Sequence, residues 1–140
     1  MLTQSPMEIM RQFLAAFAGS DKDGLYRLLT NDARLIISKK NMWFQSRELS
    51  QAVDFLLAET SSWTGRRIDV QSWSDDSNQV RVKFHVQVQR NGRFEEYAYT
   101  VTLTLHETKI DAIELCGQSI ATARSVWQFP KRPSFRLTPG

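Results

Sequence analysis

Phe13-Leu14-Ala15-Ala16-Phe17-Ala18-Gly19-Ser20-Asp21-Lys22-Asp23-Gly24-Leu25-Tyr26-Arg27-Leu28-Leu29-Thr30-Asn31-Asp32-Ala33 reads as the end of one helix, a polar corner, a short second helix and the entry to a strand. Upstream, Ser5-Pro6-Met7-Glu8 predicts the start of the first helix. Ser5 suits the cap, Pro6 the first turn, where no N–H bond is needed, and Glu8 the return bond of a capping box. Ile9, Phe13 and Phe17 repeat every four residues beside Met10 and Leu14, which gives one broad apolar face. Gly19 is expected to stop this helix in a left-handed conformation. Ser20 or Asp21 caps the second helix, whose Leu25, Leu28 and Leu29 face inward and which Thr30-Asn31-Asp32 closes.

Downstream, Ala33–Ile37 is predicted as a strand and Ser38-Lys39-Lys40-Asn41 as a turn into Met42-Trp43-Phe44. Ser46 is expected to cap a third helix running to about Ala58, with Leu49, Val53, Leu56 and Leu57 buried, before a loop over Thr60–Gly65. From Arg67 the apolar period drops from about 3.6 to 2. Ile68–Trp73 forms a strand, Asp75-Asp76-Ser77-Asn78 a turn, and Gln79–Gln89 alternates Val80, Val82, Phe84, Val86 and Val88 with polar residues. Asn91-Gly92 is a strong two-residue hairpin signal. It sets Val86 opposite Tyr97, Phe84 opposite Tyr99, Val82 opposite Val101 and Val80 opposite Leu103. His106-Glu107-Thr108 turns into a last strand, Lys109–Cys116.

At 140 residues the chain is one domain, 1–117, followed by an arm, 118–140. The first part holds 14 Lys and Arg against 15 Asp and Glu, whereas the arm holds Arg124, Lys131, Arg132 and Arg136 with no acid. The basic excess is therefore a property of the arm, which argues against a nucleic-acid-binding body. Trp127, Phe129 and Phe135 predict that the arm packs on the domain or on a partner subunit. No apolar run is long enough to span a bilayer, and no leader of basic residues followed by an apolar core stands at the start. The single cysteine, Cys116, cannot form an internal disulfide and is expected as a small buried hydrophobe, with the cytoplasm as location.

Two helices, a short hairpin, a third helix and then long antiparallel strands form the element order of the nuclear transport factor 2-like superfamily. The Phe-Leu-Ala-Ala-Phe…Asp-Lys-Asp-Gly-Leu-Tyr-Arg-Leu-Leu-Thr-Asn-Asp-Ala stretch at 13–33 resembles its opening, particularly in the SnoaL-like branch. The resemblance covers about residues 7–117. It implies an α+β fold in which a curved antiparallel sheet wraps around three helices as a cone, also called cystatin-like. It further implies a pocket at the open end and a homodimer through the sheet's outer face. Members include ketosteroid isomerases, polyketide cyclases, dehydratases, epoxide hydrolases, transport factors and non-catalytic binders. The isomerases' general-base aspartate aligns within Ile36–Ser38, where this chain has no carboxylate.

The expected pocket is walled by Phe13, Phe17, Trp43, Phe44, Phe55, Tyr97 and Tyr99, with Trp63 in a lid, and suits a small apolar or aromatic ligand. The phenol of Tyr97 or Tyr99 could serve a carbonyl or enolate oxygen. The last strand leaves two registers open. If Leu105 pairs with Ile110, Glu114 faces inward. If the loop differs by one residue, Asp111, Ile113 and Leu115 do. Asp111 or Glu114, desolvated, would then be an acid or base. Two histidines on different elements, His85 and His106, and one cysteine offer no metal-ligand spacing, and no cofactor motif is visible. Three functions fit: a small-molecule binder, a proton-transfer enzyme of cyclase, isomerase or dehydratase type, and a protein-interaction module.

Overall fold

The fold comes from a computed structural model that describes residues 5–39, 42–90 and 92–120. The arm residues named above, Arg124 to Arg136, lie outside the described residues. Helix α1 is Pro6–Ala18, with Ser5 Oγ accepting from the Glu8 N–H at 3.1 Å and Ile9, Met10, Phe13, Ala16, Phe17 and Ala18 buried. The left-handed residue that follows is Ser20, at φ 52°, while Gly19 is at −90°. Gly19 serves close approach instead: a Cβ there would stand 2.9 Å from the Ala15 carbonyl oxygen. Asp21 then caps α2 (Lys22–Leu28), accepting from the Gly24 N–H at 3.1 Å.

Strand β1 is Leu29–Lys39, longer at both ends than the β-branched run implies. Thr30-Asn31-Asp32 belongs to it, because Leu29 already pairs with Ile110 of the last strand. β2 is Met42–Ser46 and pairs antiparallel with β1. Helix α3 is Leu49–Thr60, buries Ala52, Val53, Leu56 and Thr60, and has Glu48 rather than Ser46 at its N-cap. Ser46 Oγ accepts from the Glu48 N–H and donates to Gln51 Oε1, so it braces the entry from two residues upstream. Ser20 Oγ lies 2.8 Å from Thr60 Oγ1, which ties the end of α3 to the α1–α2 corner.

β3 (Gly65–Asp76), β4 (Gln79–Arg90), β5 (Arg93–His106) and β6 (Lys109–Ser119) follow. The six strands form one sheet in the order β2-β1-β6-β5-β4-β3. It is mixed, since β1 and β6 run parallel and all other neighbours antiparallel. The β4–β5 register is the one Asn91-Gly92 predicts, from Val80↔Leu103 to Val86↔Tyr97. The curved sheet wraps the three helices, and Phe13, Phe17, Phe84, Leu25, Leu56 and Leu103 are fully buried between them. Burial of each such side chain contributes on the order of 1.5–3 kcal/mol.

The two registers open for β6 are reconciled by an irregularity between Thr104 and Leu105: Leu105 pairs with Ile110, yet Thr104 pairs with Ala112 and Leu103 with Ile113. Asp111 is the extra residue, and one inserted residue flips every later side chain to the other face. Ile110, Ile113 and Leu115 are therefore all buried, and Asp111 and Glu114 are both exposed. The same parity corrects the expectation for Cys116. It is exposed on the outer face, beside Ser38 Oγ at 3.1 Å.

Candidate functional site

The last turn of α3 brings a carboxylate to the aromatic inner face of the sheet. Glu59, whose side chain is 7% exposed, lies where the end of β1 and the middle of β5 meet it. Its Oε2 accepts from the Tyr99 phenol at 2.7 Å and pairs with Lys39 Nζ, also at 2.7 Å. A buried carboxylate is costly unless it is paired and hydrogen-bonded, and Lys39 and Tyr99 meet both requirements. Beside it, the Tyr97 phenol donates to Glu95. The Tyr97 and Tyr99 ring centroids are 6.3 Å apart, so two phenol–carboxylate pairs stand side by side.

Three rings pack against Tyr99 and limit its movement. Phe84 stacks on it at 5.4 Å, Phe17 meets its edge at 6.1 Å, and Trp63 is tilted against it at 6.3 Å. Directly across the ladder stands Gly117, where a Cβ would come within 2.7 Å of Tyr99 Cε1. The glycine leaves room for the ring to lie over the backbone of β6. Trp63 follows α3 in a turn that its own N–H closes on Thr60 O at 3.1 Å, and its ring is edge-on to Phe17. Among the described residues, its Nε1 is the buried side-chain donor left without a hydrogen-bond partner. Such a group costs roughly 1–3 kcal/mol until an acceptor reaches it.

The structure thus brings together Phe13, Phe17, Trp63, Tyr97 and Tyr99. Phe44 and Phe55 pack on each other, with centroids 3.5 Å apart; Phe44 is half-buried against the core, Phe55 is exposed, and Trp43 on β2 is 64% exposed. β2 is an edge strand, and nothing among the described residues covers its Trp43. Asp111 accepts from the Thr30 hydroxyl at 3.1 Å in the β1–β6 seam. It lies six residues before Gly117 on β6, so about 20 Å separates it from the Tyr99 position at the rise of a strand. Glu114 is paired with Thr102 and Ile36 in the ladder and points outward. Neither acid reaches a phenol; Glu59 does. The signal that could have found Glu59 is helical spacing: 52, 56 and 59 continue one edge of the buried face of α3.

On the outer face a groove of about 550 Å³ is lined by Lys83, His85, Thr100, Cys116 and Gln118 among others. It is open, and its lining is part polar and part apolar. Among the described residues no cluster of three or more His, Cys, Asp or Glu side chains could hold a metal ion, and no helix is long and apolar enough to cross a membrane.

No family model and no curated protein matches the sequence. Solved structures do. A protein described as a SnoaL-like polyketide cyclase from Jannaschia sp. CCS1 superimposes with a TM-score of 0.63 at 13% identity, covering 90% of this chain and 96% of its own. A hypothetical protein with a ketosteroid isomerase-like fold from Catenulispora acidiphila, solved with trimethylamine, gives 0.64 at 12% identity over 79% and 85%. An LEH-like epoxide hydrolase of M. tuberculosis gives 0.64 at 13% over 82% and 84%. The chain has the fold these proteins share, the nuclear transport factor 2-like fold. Identities this low speak for the fold and not for a reaction.

Proposed function

We propose that the protein binds a small, mostly apolar molecule at the end of the cone where Phe17, Trp63, Tyr97 and Tyr99 meet, with one polar group of the ligand held there. The observation that carries this reading is the buried Trp63 Nε1, without a hydrogen-bond partner among the described residues, next to the Glu59–Tyr99 pair. An oxygen acceptor on the ligand would satisfy that donor, while the aromatic faces would take the apolar body. The cyclase-like and epoxide-hydrolase-like neighbours support the reading as proteins that share the fold.

The Glu59–Tyr99 contact favours a second reading, proton-transfer catalysis. Glu59 would act as the base in place of the expected Asp111 or Glu114, and Tyr99 would be the oxygen-side donor, with Lys39 balancing the charge. One experiment serves both. The full chain is screened by thermal shift against cyclic ketones, lactones, aromatic acids and steroids, and hits are then assayed for turnover. A ligand at about 100 times its Kd adds about 2.7 kcal/mol. Trp63→Phe should weaken that stabilisation, and Glu59→Gln should abolish any turnover while leaving binding. Hits that bind Trp63→Phe and Tyr99→Phe as well as the wild type would sink the proposal.

A further inference from the structure

β3 is one of the two edges of the sheet and has no strand on its far side among the described residues; it is twelve residues long, and nearly every position along it is exposed. Its inner face carries Ile68, half-buried, and Val70 and Trp73, 46% and 47% exposed. A long, exposed edge with apolar side chains is a template for pairing with another strand. Its charges are segregated. Arg66 and Arg67 stand at the start, Asp75 and Asp76 at the end, and all four are exposed.

The ladder with β4 shifts between Val70 and Ser72, so Gln71 is an extra residue. Before it, Arg66, Ile68 and Val70 lie opposite Val88, Val86 and Phe84, which are buried; after it, Trp73 and Asp75 lie opposite Val82 and Val80, which are also buried. The inner-face residues are thus even-numbered before the bulge and odd-numbered after it. The direction of the backbone hydrogen-bonding groups alternates with the same period of two. A second β3 laid antiparallel must match faces and hydrogen-bonding groups together. The bulge allows this when paired residue numbers sum to 141. That register sets Arg66 against Asp75, Ile68 against Trp73, and Asp69 against Ser72, each twice by the two-fold axis, which falls between Val70 and Gln71. On the outer face Arg67 becomes a diagonal neighbour of Asp76, within reach of long side chains.

We infer that β3 is a homodimer interface, in which a second copy of this chain joins edge to edge and extends the sheet across a two-fold axis. The interface is isologous, as closed symmetry requires. It differs from the outer-face dimer that the resemblance implies. The outer face offers Arg81, Lys83 and His85, and its exposed large apolar residues among those described, Trp43 and Phe94, stand apart on β2 and β5, separated by β1 and β6.

Sedimentation velocity on the full chain over a concentration series up to about 100 μM tests the inference, since a dimer forms by mass action. Two charge-reversal variants are compared with the wild type: Arg66→Asp with Arg67→Asp, and Asp75→Arg with Asp76→Arg. Each alone should weaken the dimer roughly tenfold or more, because like charges then face each other. Mixing the two variants should restore a dimer of near wild-type strength, which misfolded variants would not do. A wild type that stays monomeric overturns the inference. So does a dimer indifferent to both reversals but dissociated by Lys83→Glu with Thr100→Lys on the outer face. Hydrogen exchange adds a third arm: edge amides of residues 65–76 protected in a monomer would assign the edge to residues 121–140 instead.

Discussion

Gly117→Ala places one methyl group where the ring of Tyr99 already lies. The added Cβ would stand 2.7 Å from Cε1 and 3.0 Å from Cδ1, inside van der Waals contact, so the ring must move. It has little freedom, since Phe84, Phe17 and Trp63 pack on it and its hydroxyl is bonded to Glu59. Overpacking of this kind costs typically about 1–3 kcal/mol. Elsewhere in a strand, alanine is favoured over glycine by roughly 0.5–1 kcal/mol, so the sign of the change is itself diagnostic. Urea unfolding followed by tryptophan fluorescence should show a loss of about 1–3 kcal/mol, and the melting temperature should fall by roughly 3–10 °C. The same substitution in a Tyr99→Leu background, where the ring is gone, should cost much less, giving a coupling energy of about 1 kcal/mol or more. A neutral or stabilising Gly117→Ala, or equal costs in the two backgrounds, would refute the claim that the glycine exists to seat this ring.

Glu59→Gln keeps the shape of the side chain and removes its charge from Lys39, which is 37% exposed on its own side chain. Screening tempers the loss to about 1–2 kcal/mol, measured by urea unfolding; an unchanged midpoint would mean the pair contributes nothing. Asp111→Ala and Glu114→Ala, both at exposed positions, should each change stability by no more than about 0.5 kcal/mol and leave ligand-induced shifts intact. A large loss of ligand response in either would return β6 to the site. Cys116 is exposed, so the native protein should react with a disulfide reagent to one equivalent without denaturant. Labelling that requires denaturant would place it in the interior after all.

What could be read from the residues depended on whether a local rule governed the position. The β4–β5 pairing is local: Asn91-Gly92 forces the turn, the valines alternate, and the register follows through Val80↔Leu103. The capping roles of Ser5 and Asp21 are equally local. Non-local pairing was not legible. The extension of β1 back to Leu29 depends on Ile110, far along the chain, and the parallel β1–β6 seam has no turn to announce it. The β6 register hid a bulge, which made both candidate registers half right and put both candidate acids outside. Of the site, the aromatic residues of α1 and β5 were visible through their period. Glu59 was not, because a charged residue in the last turn of a helix is ordinarily solvated, and only Lys39 and Tyr99, from two other strands, make its burial tolerable.

The position of β6 has a consequence for how the chain becomes a protein. β6 lies between β1 and β5, so β2-β1 on one side and β5-β4-β3 on the other touch as a sheet only through it. On a ribosome, the opening hairpin and the later meander can each form as they emerge, but they remain two unjoined pieces until residues 109–119 are clear of the exit tunnel. The Leu29–Ile110 contact then closes a loop of 81 residues, an arrangement that slows folding. During that interval the edges of β1 and β5 that β6 will occupy are open to any other strand, so these two pieces are most exposed to mispairing just before β6 arrives.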